Sequence, residues 1–294
     1  MMFDHFVMVD WSAASVPRTG RDSIWIGWLG PTVARLENPA TRHQTRALLA
    51  DWLAAAQTSG ERVLVGFDFP FGYPAGFAAK LGLSGPPWRE VWDEIARLIE
   101  DDAHNGNNRF DVAEAFNRRI SSACFPFWGC PAKPERPNLA ATRPFYDTEG
   151  LAERRCIDGR EYMPGAQPCW KLCYPGSVGS QSLTGIPVVR GLRDDPRWRE
   201  AARIWPFETG LRPPEAPGVV FAEVYPSLWK KQIPTLHGKP KDAAQVCFVA
   251  QFFAECDRTD DLARLFAGDP GLSPGKRRLV EREEAWTLGV TQPN

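Results

Sequence analysis

Two stretches decide the fold of this chain: Met2-Phe3-Asp4-His5-Phe6-Val7-Met8-Val9-Asp10 and Arg62-Val63-Leu64-Val65-Gly66-Phe67-Asp68. Both are strongly apolar, and each ends in an aspartate that a turn-forming segment follows. An ionisable group at the end of a buried β-strand is costly unless it is paired or binds a cation. Because α/β folds bind ligands at one edge of their sheet, Asp10 and Asp68 predict a shared site at such an edge.

The residues between these two strands predict a β-meander followed by a helix. Residues 22–29 alternate apolar with small or polar side chains, residues 32–36 form a short third strand, and residues 41–57 carry a helical apolar stripe. The helical crossover would place the fourth strand, 62–68, parallel to the first. Further helices are predicted at 91–99, 112–120, 180–192 and 243–256, and short strands near 202–208 and 218–225.

Composition restricts the class of protein. The 294 residues suffice for one large domain or two small ones. A net charge of −1 excludes a global basic field that would attract nucleic acid or anionic membranes, although a local basic groove stays open. No apolar run approaches the roughly 20 residues of a membrane span, and no basic-then-apolar leader opens the chain. We therefore expect a cytoplasmic protein without a membrane partner.

The 7 cysteines are an odd number without compact spacing, which favours reduced thiols over a disulfide framework. A structural zinc site is the alternative. It would draw on Cys124, Cys130, Cys156, Cys169 and Cys173, but their spacing lacks the tight Cys-x-x-Cys pairs of zinc ribbons and fingers.

Two further acids extend the predicted site at the sheet edge. Glu223 ends the late strand and precedes a Pro-containing turn, as Asp68 does, while Asp242 lies at the start of the apolar helix 243–256. Mg²⁺ and Mn²⁺ favour oxygen ligands, and two such ions about 3.5–4 Å apart activate water and stabilise a leaving phosphate oxygen. We therefore predict that Asp10, Asp68, Glu223 and Asp242 are catalytic and bind metal.

The order strand, strand, strand, helix, strand is the core layout of the ribonuclease H-like fold. Four motifs carry a more specific resemblance: Asp10-Trp11-Ser12, Phe67-Asp68-Phe69-Pro70-Phe71-Gly72, Glu223-Val224-Tyr225-Pro226 and Lys241-Asp242-Ala243-Ala244. With these motifs the chain resembles the uncharacterised family called domain of unknown function 429 (DUF429), which is regarded as ribonuclease H-like and is sometimes labelled a predicted nuclease. The resemblance covers roughly 1–80 and 215–256. Two departures are the Trp11-Ser12 turn, where the family commonly has glycine, and a large middle insertion.

We therefore expect an α/β protein with a ribonuclease H-like, mixed five-stranded sheet flanked by helices. Residues 1–80 and 200–294 would form the core, and residues 81–199 a large, mostly helical insertion or cap. The expected function is nuclease-like hydrolysis of phosphodiesters that depends on Mg²⁺ or Mn²⁺, with nucleic acid or a nucleotide-like phosphate as substrate. The residues predicted to contact substrate are the hydroxyl and basic side chains of Ser12, Ser15, Lys230, His237 and Lys241.

Several alternatives stay open at this point. The near-neutral charge also suits a hydrolase or phosphotransferase of a small nucleotide or phosphorylated metabolite. A non-catalytic protein of the same fold would instead hold its acids apart, each satisfied by an arginine or a backbone amide. Asp242 taken alone is explained by helix capping.

Basic residues that have tryptophans nearby in sequence would suit a groove for a single strand or a nucleotide. They are Arg109, 118–119, 154–155, Arg160, 230–231, Lys239, Lys241 and 276–278. Ordinary solvated helix faces and salt bridges explain the same residues without such a groove.

Overall fold

A mixed β-sheet lies at the centre of the computed structural model, which describes residues 1–121, 123–131, 134–146, 150–174, 176–215 and 218–293. The strands in those residues are β1 (His5–Asp10), β2 (Trp25–Leu29), β3 (Ala34–Glu37), β4 (Val63–Phe67), β5 (Ala202–Ile204) and β6 (Val219–Glu223). Their order across the sheet is β3-β2-β1-β4-β6-β5. The pairs β1–β2 and β2–β3 are antiparallel, whereas β1–β4, β4–β6 and β5–β6 are parallel.

The sheet therefore has six strands within the described residues, and the expectation of five is corrected. The additional strand, β5, contains only three residues and pairs with β6 at the edge of the sheet. This segment lies within the short strand predicted near 202–208, so the strand itself is as predicted and only the number of strands in the sheet differs. The meander, the crossover helix and the parallel pairing of the fourth strand with the first are as predicted.

Helices cover both faces of the sheet. Their bounds are α1 (Arg42–Thr58), α2 (Phe77–Lys80), α3 (Pro87–Leu98), α4 (Arg109–Ile120), α5 (Val178–Arg193), α6 (Lys241–Arg258), α7 (Leu262–Phe266) and α8 (Pro274–Leu279). Shorter 3₁₀ turns lie at Cys156–Asp158 and Pro226–Trp229, and a π-helical turn lies at Val280–Glu284.

Alternation along the strands divides the core into two hydrophobic clusters, one on each face. Odd-numbered residues of β1 and β4, such as Val9 and Phe67, pack with α1, α3, α4 and α5. Even-numbered residues, such as Met8 and Leu64, pack with α6 and α7. Successive side chains of a strand point to opposite faces, so each strand contributes to both clusters.

Helix α6 packs very closely on the second of these faces. A Cβ added to Gly27 of β2 would lie 2.9 Å from the carbonyl carbon and oxygen of Val246 in α6. Glycine at this position therefore allows the helix backbone to approach the sheet. This packing fixes the N-terminus of α6, and with it Asp242, near the carboxyl end of β1.

Residues 81–199 contain α3, α4 and α5, but the described part of 121–177 holds no helix beyond the short turn at Cys156–Asp158. The segment is thus helical at its two ends and irregular between them, rather than mostly helical. Trp92, Phe116 and Leu183 of this segment belong to the same cluster as Val65 of the sheet, whereas Ile157 and Met163 belong to the cluster on the face of α6. No helix in the described ranges is both long enough and apolar enough to cross a membrane.

Candidate functional site

Asp10 and Asp68 lie side by side at the carboxyl ends of the adjacent parallel strands β1 and β4. The last pair in register is Val9 with Phe67, so the two aspartates occupy the next row of the sheet. The backbone N–H of Trp11 donates a hydrogen bond of 2.7 Å to Oδ1 of Asp68. This bond ties the turn after β1 to the end of β4, so the sequence-predicted pairing of these two acids is present in the structure.

The two carboxyl groups resist ionisation. Burial raises the pKa of Asp68 to about 7. The hydrogen bond from the Trp11 N–H lowers this pKa, whereas the negative charge of Asp242 raises it. Burial also raises the pKa of Asp10 well above its usual range, with further contributions from Asp68 and Asp242. Lys241 opposes this rise in the pKa of Asp10. Perturbed acids of this kind mark candidate functional sites.

Asp242 belongs to the electrostatic surroundings of both aspartates, because its charge acts on each. Its Oδ2 accepts a 3.0 Å hydrogen bond from the backbone N–H of Asp22, in the loop that leads into β2. Asp22 itself acts on Asp10 and raises its pKa. Sequence reasoning missed Asp22; the available signal was the antiparallel meander, which returns the start of β2 to the end of β1.

The structure places Glu223 elsewhere, so the expected convergence of four acids is corrected. Its carboxylate accepts bonds from Arg155 at 2.7 and 2.8 Å, from the Phe71 backbone N–H at 2.9 Å and from the Thr287 hydroxyl at 2.9 Å. Arg155 also pairs with Asp158 at 2.8 Å, and all of these charged side chains are buried. Glu223 is thus fully compensated by the chain itself.

Strand register explains this difference between the acids. Glu223 is in register with Phe67, and Phe67 is in register with Val9. Glu223 therefore lies one row before Asp10 and Asp68. Because a shift of one residue moves a side chain to the other face of a sheet, Glu223 does not join the acids that lie on the side of α6.

The turn after Asp10 is held in place by a buried arginine. Arg42 donates from Nη1 to the carbonyl oxygens of Ser12 and Ala14, at 3.2 and 2.8 Å. It also forms a 2.5 Å ion pair with Asp101. The hydroxyl of Ser12 accepts a 3.3 Å bond from the Ala14 N–H. Sequence reasoning missed Arg42, because nothing in a helix-start arginine signals that its side chain is buried.

The other residues predicted to contact substrate divide into two groups. Lys241 begins α6 and its charge acts on Asp10, while its predicted contact with substrate stays a prediction. Lys230 and His237 are exposed, and no contact in the described residues joins either of them to Asp10 or Asp68. Ser15 is exposed and its hydroxyl accepts a 2.9 Å bond from Nη1 of Arg109.

Within the ranges that the structure describes, no three or more His, Cys, Asp or Glu side chains form a group that could hold a metal ion. The cysteines of the described residues are all free thiols, in agreement with the expectation of reduced cysteines. Comparisons with protein-family models, with curated proteins and with solved structures find no match to this chain.

Proposed function

We propose that this protein is a hydrolase of phosphodiesters that depends on Mg²⁺ or Mn²⁺, built on a ribonuclease H-like core and related to the DUF429 family. The observation that carries the proposal is the pair of adjacent, partly buried carboxyl groups of Asp10 and Asp68, whose pKa values are raised. In the described residues no arginine or histidine forms an ion pair with either of them. A bound cation would provide the missing compensation.

The donor set of this pair suits Mg²⁺ or Mn²⁺. Mg²⁺ is usually held by one or two carboxylates, and water or substrate phosphate completes its octahedral shell. Asp10 and Asp68 would supply those two carboxylates, and Asp242 would act from outside the inner shell. A cation bound there would lower the pKa of a coordinated water and stabilise the charge that develops on the phosphoryl group.

The chain's own residues have distinct roles in this proposal. Asp10 and Asp68 hold the cation only when they are ionised, so the turn at Trp11, which donates to Asp68, favours the binding form. Asp242 orients water at the rim. Lys241 neutralises part of the negative charge around Asp10 and attracts the anionic substrate.

Titration of the protein with Mn²⁺, followed by electron paramagnetic resonance, tests the proposal. The wild type is expected to bind Mn²⁺, and Asp10→Asn is expected to weaken binding at least about tenfold because it removes a charged oxygen ligand. Asp51→Asn is the matched control: it makes the same change of charge at an exposed position of α1, on the other face of the sheet. Equal, weak binding by all three proteins would refute the metal site.

Activity is tested with a generic phosphodiester substrate, bis(p-nitrophenyl) phosphate, in the presence of Mn²⁺. We expect turnover by the wild type and by Asp51→Asn, and its loss in Asp10→Asn. Binding of Mn²⁺ without turnover of this diester, but with turnover of p-nitrophenyl phosphate, would favour a phosphomonoesterase.

Hydrolysis of a small nucleotide or phosphorylated metabolite is a second candidate, and the pairing of the arginines favours it. Arg119 pairs with Glu94, Arg136 with Asp111 and Arg155 with Glu223. Arginines that are neutralised in this way contribute little to a groove for a long polyanion. Comparison of a dinucleotide with a long single strand, at matched phosphate concentration, separates the two candidates.

A further inference from the structure

Arg109, at the start of α4, is held by oxygen atoms of neutral side chains. Its Nε donates to the Ser180 hydroxyl at 2.9 Å, and its Nη1 donates to the Ser15 hydroxyl at 2.9 Å and to Oδ1 of Asn107 at 2.7 Å. Phe110 lies against the guanidinium, 4.4 Å from the carbon of that group to the ring centroid. The side chain is therefore fixed in one orientation without a carboxylate.

The carboxylate whose charge acts on the Arg109 guanidinium, Asp101, is already paired with Arg42. The nearest cationic neighbours of Arg109 have carboxylates of their own: Arg42 pairs with Asp101 at 2.5 Å, and Arg136 pairs with Asp111 at 2.8 Å. Within the described residues Arg109 forms no ion pair, and its Nη2 has no hydrogen-bond acceptor. Burial, together with repulsion by Arg42, lowers the pKa of Arg109 to about 10, so it stays charged at neutral pH.

The surroundings of Arg109 suit an oxyanion. Ser180 lies in the first turn of the 16-residue helix α5, where the helix dipole favours negative charge. The Ser180 hydroxyl donates to the Leu172 carbonyl, so it is oriented to accept from Arg109. Ser15 is exposed and Arg109 is half-buried, so solvent reaches this group of side chains.

This group lies next to the turn that follows Asp10. Ser15 belongs to that turn, and the side-chain amide of Gln181, which follows Ser180 in α5, donates a 2.5 Å bond to the carbonyl oxygen of Trp11. A ligand at the rim of β1 and β4 and a ligand at Arg109 would thus contact the two ends of one short segment.

We propose that Arg109, which the Ser180 hydroxyl holds in place, binds together with the Ser15 hydroxyl a phosphate group of the substrate, distinct from the phosphoryl group that reacts at Asp10 and Asp68. The inference rests on the proposed function and narrows its substrate class to molecules with two phosphate groups, such as a dinucleotide with a terminal phosphate. The planar guanidinium recognises two phosphate oxygens at once, which an ammonium group does not.

Inorganic phosphate, titrated by calorimetry in EDTA, tests the subsite without any metal. The wild type is expected to bind phosphate, and Arg109→Gln is expected to lose at least about tenfold in affinity, as for other hydrogen bonds to charged groups. Arg109→Lys is expected to recover only part of the loss. The matched control is Arg258→Gln, which removes an exposed arginine at the far end of α6 and is expected to bind phosphate as the wild type does.

Equal phosphate affinity in the wild type and Arg109→Gln would overturn the inference, and so would an absence of phosphate binding by the wild type at millimolar concentration. Ser15→Ala provides a second variant if Arg109→Gln fails to fold, because Ser15 is exposed. Ser15→Ala is expected to weaken phosphate binding, and an unchanged affinity would count against the subsite. Failure of the proposed function is distinguishable, since it appears as loss of Mn²⁺ binding while phosphate still binds in EDTA.

Discussion

Replacement of Asp68 by Asn tests whether the ionised carboxyl group of Asp68 destabilises the folded protein, as its raised pKa indicates. The pKa of Asp68 is about 7 in the folded protein, against 3.8 for an ordinary aspartate. Between these two values the folded state holds a proton that the unfolded state has released, so stability falls as the pH rises. Integration from about pH 5 to about pH 8 gives a loss of up to about 2.5 kcal/mol from this group.

Asn has nearly the same shape as a protonated Asp, and its Oδ1 can still accept the bond from the Trp11 N–H. The variant therefore lacks the titration but keeps the contact. We expect the free energy of unfolding of Asp68→Asn, relative to the wild type, to increase by up to about 2.5 kcal/mol between about pH 5 and about pH 8. Asp10 leaves a residual pH dependence in the variant, because burial and Asp242 still raise its pKa.

The assay is urea-induced unfolding followed by fluorescence at both pH values, in EDTA so that no metal contributes. Asp4→Asn is the control, because Arg62 holds the pKa of Asp4 down at about 2. The stabilisation from Asp4 is present above its unfolded pKa and is lost only as the pH falls through about 2. This variant should lose the same amount at both pH values. An Asp68→Asn variant with a pH profile parallel to that of the wild type would refute the reasoning.

Two further predictions follow from the separation of the acids. Glu223→Gln should destabilise the fold by about 1–3 kcal/mol in urea unfolding, because it removes one of the two carboxylates that pair with the buried Arg155, while Asp158 still pairs with it. Mn²⁺ affinity per folded molecule should not change, and a large loss would return Glu223 to the ligand set. Asp242→Asn should lower the pKa values of Asp10 and Asp68, because the charge of Asp242 raises both of them. Nuclear magnetic resonance titration of the carboxyl carbons would measure these pKa values. Unchanged values would show that Asp242 is too distant to act on the two aspartates.

Much of the fold could be predicted because its segments are strongly periodic. The strands that end at Asp10 and near Asp68, and the apolar helix that begins beside Asp242, needed only the local pattern of apolar residues. Parallel pairing then brings the first two acids together, since the carboxyl ends of adjacent parallel strands meet at one edge. The adjacency of Asp10 and Asp68 was therefore accessible from sequence.

The position of Glu223 was not accessible in the same way. The motif around it resembles the other strand ends, with an acid before a Pro-containing turn, but the register that fixes its face depends on pairing across β4. Arg155, which neutralises it, comes from the irregular part of the chain, where no periodicity indicates which side chains are buried. Long-range partners of this kind follow from tertiary packing and not from local pattern.

The two sets of acids show two ways in which one chain compensates a carboxylate at the end of a buried strand. Glu223 has a guanidinium, a backbone N–H and a hydroxyl, so its charge is balanced without any further partner. Asp68 accepts from the backbone N–H of Trp11 and from its own backbone N–H, and burial raises its pKa to about 7. At neutral pH such a group must either keep its proton or take up a cation from solution. Both acids end adjacent strands of one sheet, so the contrast lies in their partners: within the described ranges a guanidinium pairs with Glu223 and none pairs with Asp68, and the proposed metal would be the cation at Asp68.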